Sequence, residues 1–380
     1  MTGGLDRRAL LGGLALGLVA SRALAAGAAR GSAGALYVGC RRLGERYEVA
    51  GFDLGGDERF ALELPDRGHS LALHPTRPIG VAFARRPGRF AVVFDYAEGA
   101  ALLRIDAAPG RHFYGHGAFS PDGRWLFATQ NDWASGKGVV AILDAAAGFA
   151  PAGEIESHGI SPHELRLLPD GRTLAIANGG IRTHPDRDRE KLNLDTMRPS
   201  LTLVEAAGGR LEADFALAPA WHQLSIRHLD VAADGRIAIA MQHEGGKGDV
   251  VPLVGLVEGG TLRTFDASAA MAKRLRHYIG SVVFDATGSV IAASAPRAGR
   301  ITLWDAATGA LLADHPVPDG CGIAPAGPAG SFIATGGAGA RLRLEANGSA
   351  TPLPPGAPAD WDHHLMRTEV RGFATLAASG

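Results

Sequence analysis

Fourteen histidines are spread unevenly over the 380 residues, and several come in pairs. The stretch "RHFYGHGAFSPDGRWLFATQND" (111–132) opens with His112 and His116, and "SHGISPHELRLLPDGRTLAIANGG" (157–180) opens with His158 and His163. "WHQLSIRHLDVAADGRIAIAMQH" (221–243) carries His222, His228 and His243. Neutral imidazole is the commonest transition-metal ligand. His69, His116, His158, His163, His228 and His364, together with the carboxylate of Glu164, therefore form a candidate donor set for iron, copper or zinc. His163 beside Glu164 also has the composition of an acid–base pair. Other reactive signatures are missing: no Gly-x-Ser-x-Gly elbow, His-Glu-x-x-His helix, phosphate loop or Cys-x-x-Cys-His haem attachment occurs.

What must position these side chains is a repeat. Segments built as strand, tight turn and strand recur from residues 69, 116, 163, 228, 278 and 321. The first three turns of this kind to carry Asp-Gly read "PDG", "PDG" and "ADG". Each segment is followed by a third short apolar run, such as "VVAILDA" or "RITLWDA", and then a fourth. Four strands in a period of roughly 40 to 50 residues is the pattern of a β-propeller blade. Six such units leave "DHHLMRTEV" near the C-terminus as a lone first strand, and "GALYVGC", "RYEVAGFDL" and "RFALELP" near the N-terminus as three more. The expected fold is all-β: a seven-bladed propeller over 34–370, closed by N-terminal strands pairing with a C-terminal strand, which removes exposed sheet edges.

This arrangement puts the starts of the innermost strands, the connections between blades and the loops between second and third strands on one face of the ring. His69, His116, His163 and His228 stand at strand starts, and His363 and His364 are expected to join them. His116 and His228 precede the turn glycine by seven residues and His163 by eight. Side chains alternate along a strand, so that offset would turn a ring away from the channel. A structural use competes with coordination, because Gly68-His69 and Gly115-His116 have the form of the Gly-His pair that pins blades in WD-repeat propellers. "GGIRTHPDRDREKLNLDTMRPS" (179–200) lengthens the third unit and is expected to cover the channel mouth. From it Arg182, His184, Asp186, Lys191, Asn193 and Asp195 are candidate contacts for a small polar or anionic ligand, with Asn178 and His243 from neighbouring strand ends. Arg166 and Arg227 lie inside innermost strands, where a charge needs a partner. They are read as partners of Glu164 and Asp230, or as donors to an anion.

A formal charge of −1, with 20% charged residues, gives no basic field to attract nucleic acid or acidic membrane. The N-terminus has Arg7-Arg8, an apolar run from Ala9 to Ala20 and the small-residue site Ala23-Leu24-Ala25. It reads as a twin-arginine-like export signal over 1–30, which implies a periplasmic protein with no membrane span once the signal is removed. Residues 371–380 read as a tail. The two cysteines, Cys40 and Cys321, allow at most one bridge.

"HGAFSPDGRWLFATQND", "SHGISPHELRLLPDGRTLAIANGGIRTHPD", "KLNLDTMRPSL" and "QLSIRHL" resemble the exported bacterial family known as domain of unknown function fifteen-thirteen, from about residue 35 to the end. The resemblance implies a WD40-like or YVTN-like seven-bladed propeller, periplasmic export, and gene neighbourhoods with imelysin-type and di-haem oxidase-like proteins, hence iron-uptake partners. It carries over His116, His158, His163, Glu164, Asn178, His184, Asp186, Lys191, Asn193, Asp195, Arg227 and His228 as pattern residues, while Asp188 stands where the pattern has Gly. The function expected is binding of a metal ion or small polar ligand at the His-rich face, in iron or copper acquisition. A non-catalytic docking scaffold and an oxidoreductase or lyase working through His163 and Glu164 are the alternatives.

Overall fold

The computed structural model describes residues 34–370 except 87, 188, 189 and 267. The expected export signal, the tail and Asp188 lie outside the described residues. Seven four-stranded antiparallel sheets are present, and each innermost strand contacts the next around a ring. The first to sixth blades run in chain order over 68–106, 111–156, 162–216, 224–264, 281–316 and 320–352. In the seventh, Asp360–Val370 is innermost and is followed outward by Gly34–Leu43, Arg46–Asp53 and Glu58–Leu64. The C-terminal strand pairs antiparallel with the N-terminal one from Gly34 opposite Val370 to Arg42 opposite Asp360. The ring is thus a seven-bladed β-propeller closed by its two ends.

The local chemistry of the repeat explains the hairpins. At Asp122-Gly123, Asp170-Gly171 and Asp234-Gly235 the Asp carboxylate accepts the backbone N–H two residues on, at 3.0, 2.8 and 3.2 Å. Each following glycine is left-handed, with φ of 72°, 69° and 88°. Such a turn needs a residue without a Cβ penalty, which is why Gly recurs there. Inner strands such as Gly68–Leu73 and Thr173–Asn178 are buried along almost their whole length, because a blade packs on both faces. Outer strands such as Glu58–Leu64 alternate exposed and buried residues. The core consists of apolar clusters sandwiched between neighbouring blades, for example Phe127, Leu165, Leu174, Ile176 and Val204 between the second and third.

The stretch "RHFYGH", which could pass for a connection between blades, is strand: Arg111–Phe119 is a single innermost strand whose ladder is interrupted between Phe113 and Gly117. Similar shifts occur between Gly68 and Leu71, Pro162 and Glu164, Ile226 and His228, and opposite Gly39–Arg41 in the closing strand. Each lies at a histidine. A bulge inserts unpaired residues and re-aims the side chains that follow, so the seven-versus-eight spacing of the histidines is absorbed in the backbone. Cys40 and Cys321 are both free and buried, not bridged. Among the described residues no helix is long and apolar enough to cross a membrane.

Candidate metal centre

Four side chains from four innermost strands meet in the channel: His116 of the second blade, Glu164 of the third, His228 of the fourth and His364 of the seventh. One donor atom from each lies within 4.8 Å of the others, and all four residues are buried. His116 Nε2 is 3.0 Å from His364 Nε2 and 3.7 Å from Glu164 Oε2, and His228 Nδ1 is 3.1 Å from the same carboxylate oxygen. Ligands at about 2.0–2.1 Å from a tetrahedral ion stand roughly 3.3 Å apart. These three contacts straddle that spacing.

The electrostatics favour neutral, metal-competent imidazoles. Burial, and then the charge of neighbouring rings, pushes His116 and His228 well below the usual histidine range, and burial does the same to His364 against the opposing charge of Glu164. The rings are therefore unprotonated at neutral pH, with a lone pair each. Glu164 does not stand alone: its Oε1 accepts from Arg166 Nη2 at 2.8 Å, which balances the buried carboxylate. His116 Nδ1 is buried without a hydrogen-bond partner, a cost that an apolar or fully bonded core would avoid, while the atoms that converge contact one another and could hold an ion. Three imidazoles and one carboxylate suit zinc, copper or iron better than the hard, all-oxygen ions.

Two further histidines flank the four. His69 stands 4.9 and 4.8 Å, ring to ring, from His116 and His364. Its Nδ1–H donates to Asp362 Oδ1 at 2.8 Å, the kind of bond by which a carboxylate orients a metal-binding ring. Asp362 is buried, and burial alone would raise its pKa. His69, His363 and Arg85 nevertheless hold it well below the carboxylate range. His163 lies 4.9 and 4.8 Å from His116 and His228 with its Nδ1 unpartnered. Glu164 bonds to His228 and Arg166, not to its chain neighbour His163.

The remaining candidates are elsewhere. His158 points outward and bonds Gly209 O at 2.8 Å. Asn178 donates to Ser157 O and Thr202 Oγ1, tying the connection after the second blade to the third strand of the third. Arg166 also approaches Asp230 at 3.8 Å, so its pairing with Glu164 and Asp230 is as expected. Arg227 instead binds Ser225 Oγ and Glu244. His243 Nε2 meets Asp249 at 2.7 Å. In the insertion, Asn193 braces the loop by accepting from Arg182 N and donating to Gly180 O. Lys191 pairs with Glu244, and Asp195 is exposed. Arg182, His184 and Asp186 line an open cleft of about 410 Å³ with Trp133, separate from the histidine cluster. Asp362 was not evident as a site residue from sequence. Its one signal is its place directly before the His363-His364 pair.

The family model described as "Protein of unknown function (DUF1513)" matches residues 62–368. The chain belongs to this family. No curated protein matches this DUF1513 chain in sequence. Among solved structures it is similar to Kuenenia stuttgartiensis hydrazine synthase, with TM-score 0.57 and 15% identity over 82% of this chain and 90% of that one. A structure titled as the mitotic checkpoint complex follows, with TM-score 0.53 and 12% identity over 75% and 78% of the two chains. At such identities the likeness concerns the propeller fold alone.

Proposed function

We propose that this DUF1513 chain binds one transition-metal ion in its central channel through His116, Glu164, His228 and His364, as an exported protein of iron or copper acquisition. The observation that carries the reading is the convergence of four buried donors from four separate blades within 4.8 Å. Building such a cluster places several desolvated polar groups together, and an ion is what would offset that cost. The twin-arginine-like N-terminus supports a periplasmic setting, and the family resemblance supports iron-uptake partners. His69, held by Asp362, and Arg166, held on Glu164, would orient the donors around the ion.

Elemental analysis of the full chain, purified from its export compartment, tests this. One equivalent of iron, copper or zinc per chain is expected, lost in the His116→Ala, His364→Ala double variant and retained in His158→Ala. Metal absent from the parent chain, or equal in parent and double variant, overturns it.

A further inference from the structure

The face of the ring above the histidines gathers several cations around shared carboxylates. Arg67 and Arg85 both bind the same oxygen of Asp362, at 2.8 and 3.2 Å. Lys191 and Arg227 both bind Glu244. Arg297 stacks 3.9 Å over the ring of Tyr278, and no acidic partner is found for it among the described residues. Four cations thus share two carboxylates, and a fifth holds none. Of the other acids, Glu164 and Asp230 are engaged by Arg166, and Asp249, in the loop that follows the same strand as Glu244, by His243.

These groups share one place. Tyr278 precedes the fifth innermost strand and stands 6.1 Å, ring to ring, from His363. Arg227, Arg297 and Arg85 all act electrostatically on its hydroxyl. Arg67 and Arg85 precede the first innermost strand and follow its partner, Arg297 follows the second strand of the fifth blade, and Glu244 follows the second strand of the fourth. Antiparallel succession puts every one of these positions on the same face. On that face the innermost strand of the third blade carries His163, whose Nδ1 is buried with no partner. An unpaired buried imidazole nitrogen on the same face as a guanidinium that holds no carboxylate, and others that share theirs, is a place a ligand would complete.

We infer that this mouth of the channel is an anion-binding vestibule for a small, multiply charged oxyanion, carrying either carboxylate or phosphate oxygens. Guanidinium forks fit both geometries through paired N–H donors, and low-dielectric walls strengthen the attraction. The site goes beyond the metal reading and stands on charges that are present without an ion. An oxyanion seated there would lie above the four donors, so that metal and anion would enter by the same opening.

Isothermal titration of the metal-free full chain with oxalate, and separately with inorganic phosphate, tests the inference; the stronger binder names the oxyanion class. Saturable one-to-one binding of at least one probe is expected, weakening as salt rises and falling at least tenfold in the Arg85→Gln, Arg297→Gln double variant. Arg124→Gln, an exposed arginine on the opposite hairpin turn, should bind as the parent does. If the double variant fails to fold, Arg297→Gln alone serves, since that guanidinium holds no carboxylate, and a loss of at least threefold is expected. No saturable binding of either probe, or equal binding by parent and variants, overturns the vestibule. Failure of the chain to hold a metal would sink the metal reading and leave this measurement standing.

Discussion

Single residues divide into those whose loss is local and those on which the channel depends. Asp362 accepts from His69, Arg67, Arg85 and the backbone of His363 while being 2% exposed. Asp362→Asn removes the shared charge from under two guanidinium groups and should cost about 3 kcal/mol in urea unfolding. His158→Ala removes one bond to a carbonyl and should cost about 1 kcal/mol. Acid acts at the same scale. Burial drives His112 down to about 4 from an ordinary 6.5, so between these values the unfolded chain binds the proton that the folded one refuses. Stability is therefore highest above 6.5, falls as pH drops towards 4, and His112 alone accounts for about 3 kcal/mol of the loss. Urea midpoints at pH 7 and pH 5 should differ less in His112→Gln than in the parent. The converging histidines were legible from the sequence because they recur at the starts of repeated strands. Asp362 was not, since its role depends on His69 and Arg85, nearly three hundred residues away in the chain.

At the scale of the strand, the bulges decide which way a ring points. Sequence reasoning found the innermost strands but not where their ladders slip, because a slip is set by packing against neighbouring blades and not by local propensity. The exception is Gly115, which has φ of 98° and would put a Cβ 2.7 Å from His69 Cδ2. Gly115→Ala strains the backbone by roughly 1–3 kcal/mol and pushes on the His69 ring. It should weaken metal binding at least tenfold, read by competition with a chromophoric chelator, while the far-ultraviolet circular dichroism of the sheets is kept. The insertion between the second and third strands of the third blade was recognised by its length alone. Its anchorage by Lys191 on Glu244 requires the fold. Glu244→Gln should release it and speed proteolytic cleavage within 182–198.

For the whole molecule, period and turn chemistry were enough to read the architecture: six hairpin units and two unassigned ends leave one way to close a ring. The closing strand is more than a latch. Asp360–Val370 pairs along Gly34–Leu43 and also carries His364 and Asp362. A chain ending at residue 359 should lose its cooperative thermal transition and its metal together. The parent chain should melt in one step, at a higher temperature when metal-loaded. The same placement gives synthesis an order. While the polypeptide emerges from the ribosome, His116, Glu164 and His228 are all present long before His364 is made, so a truncated product holds three donors and never the fourth. An ion held by all four donors would thus be a molecular proofreading mark, carried only by a product whose last strand has been made and has found its own beginning.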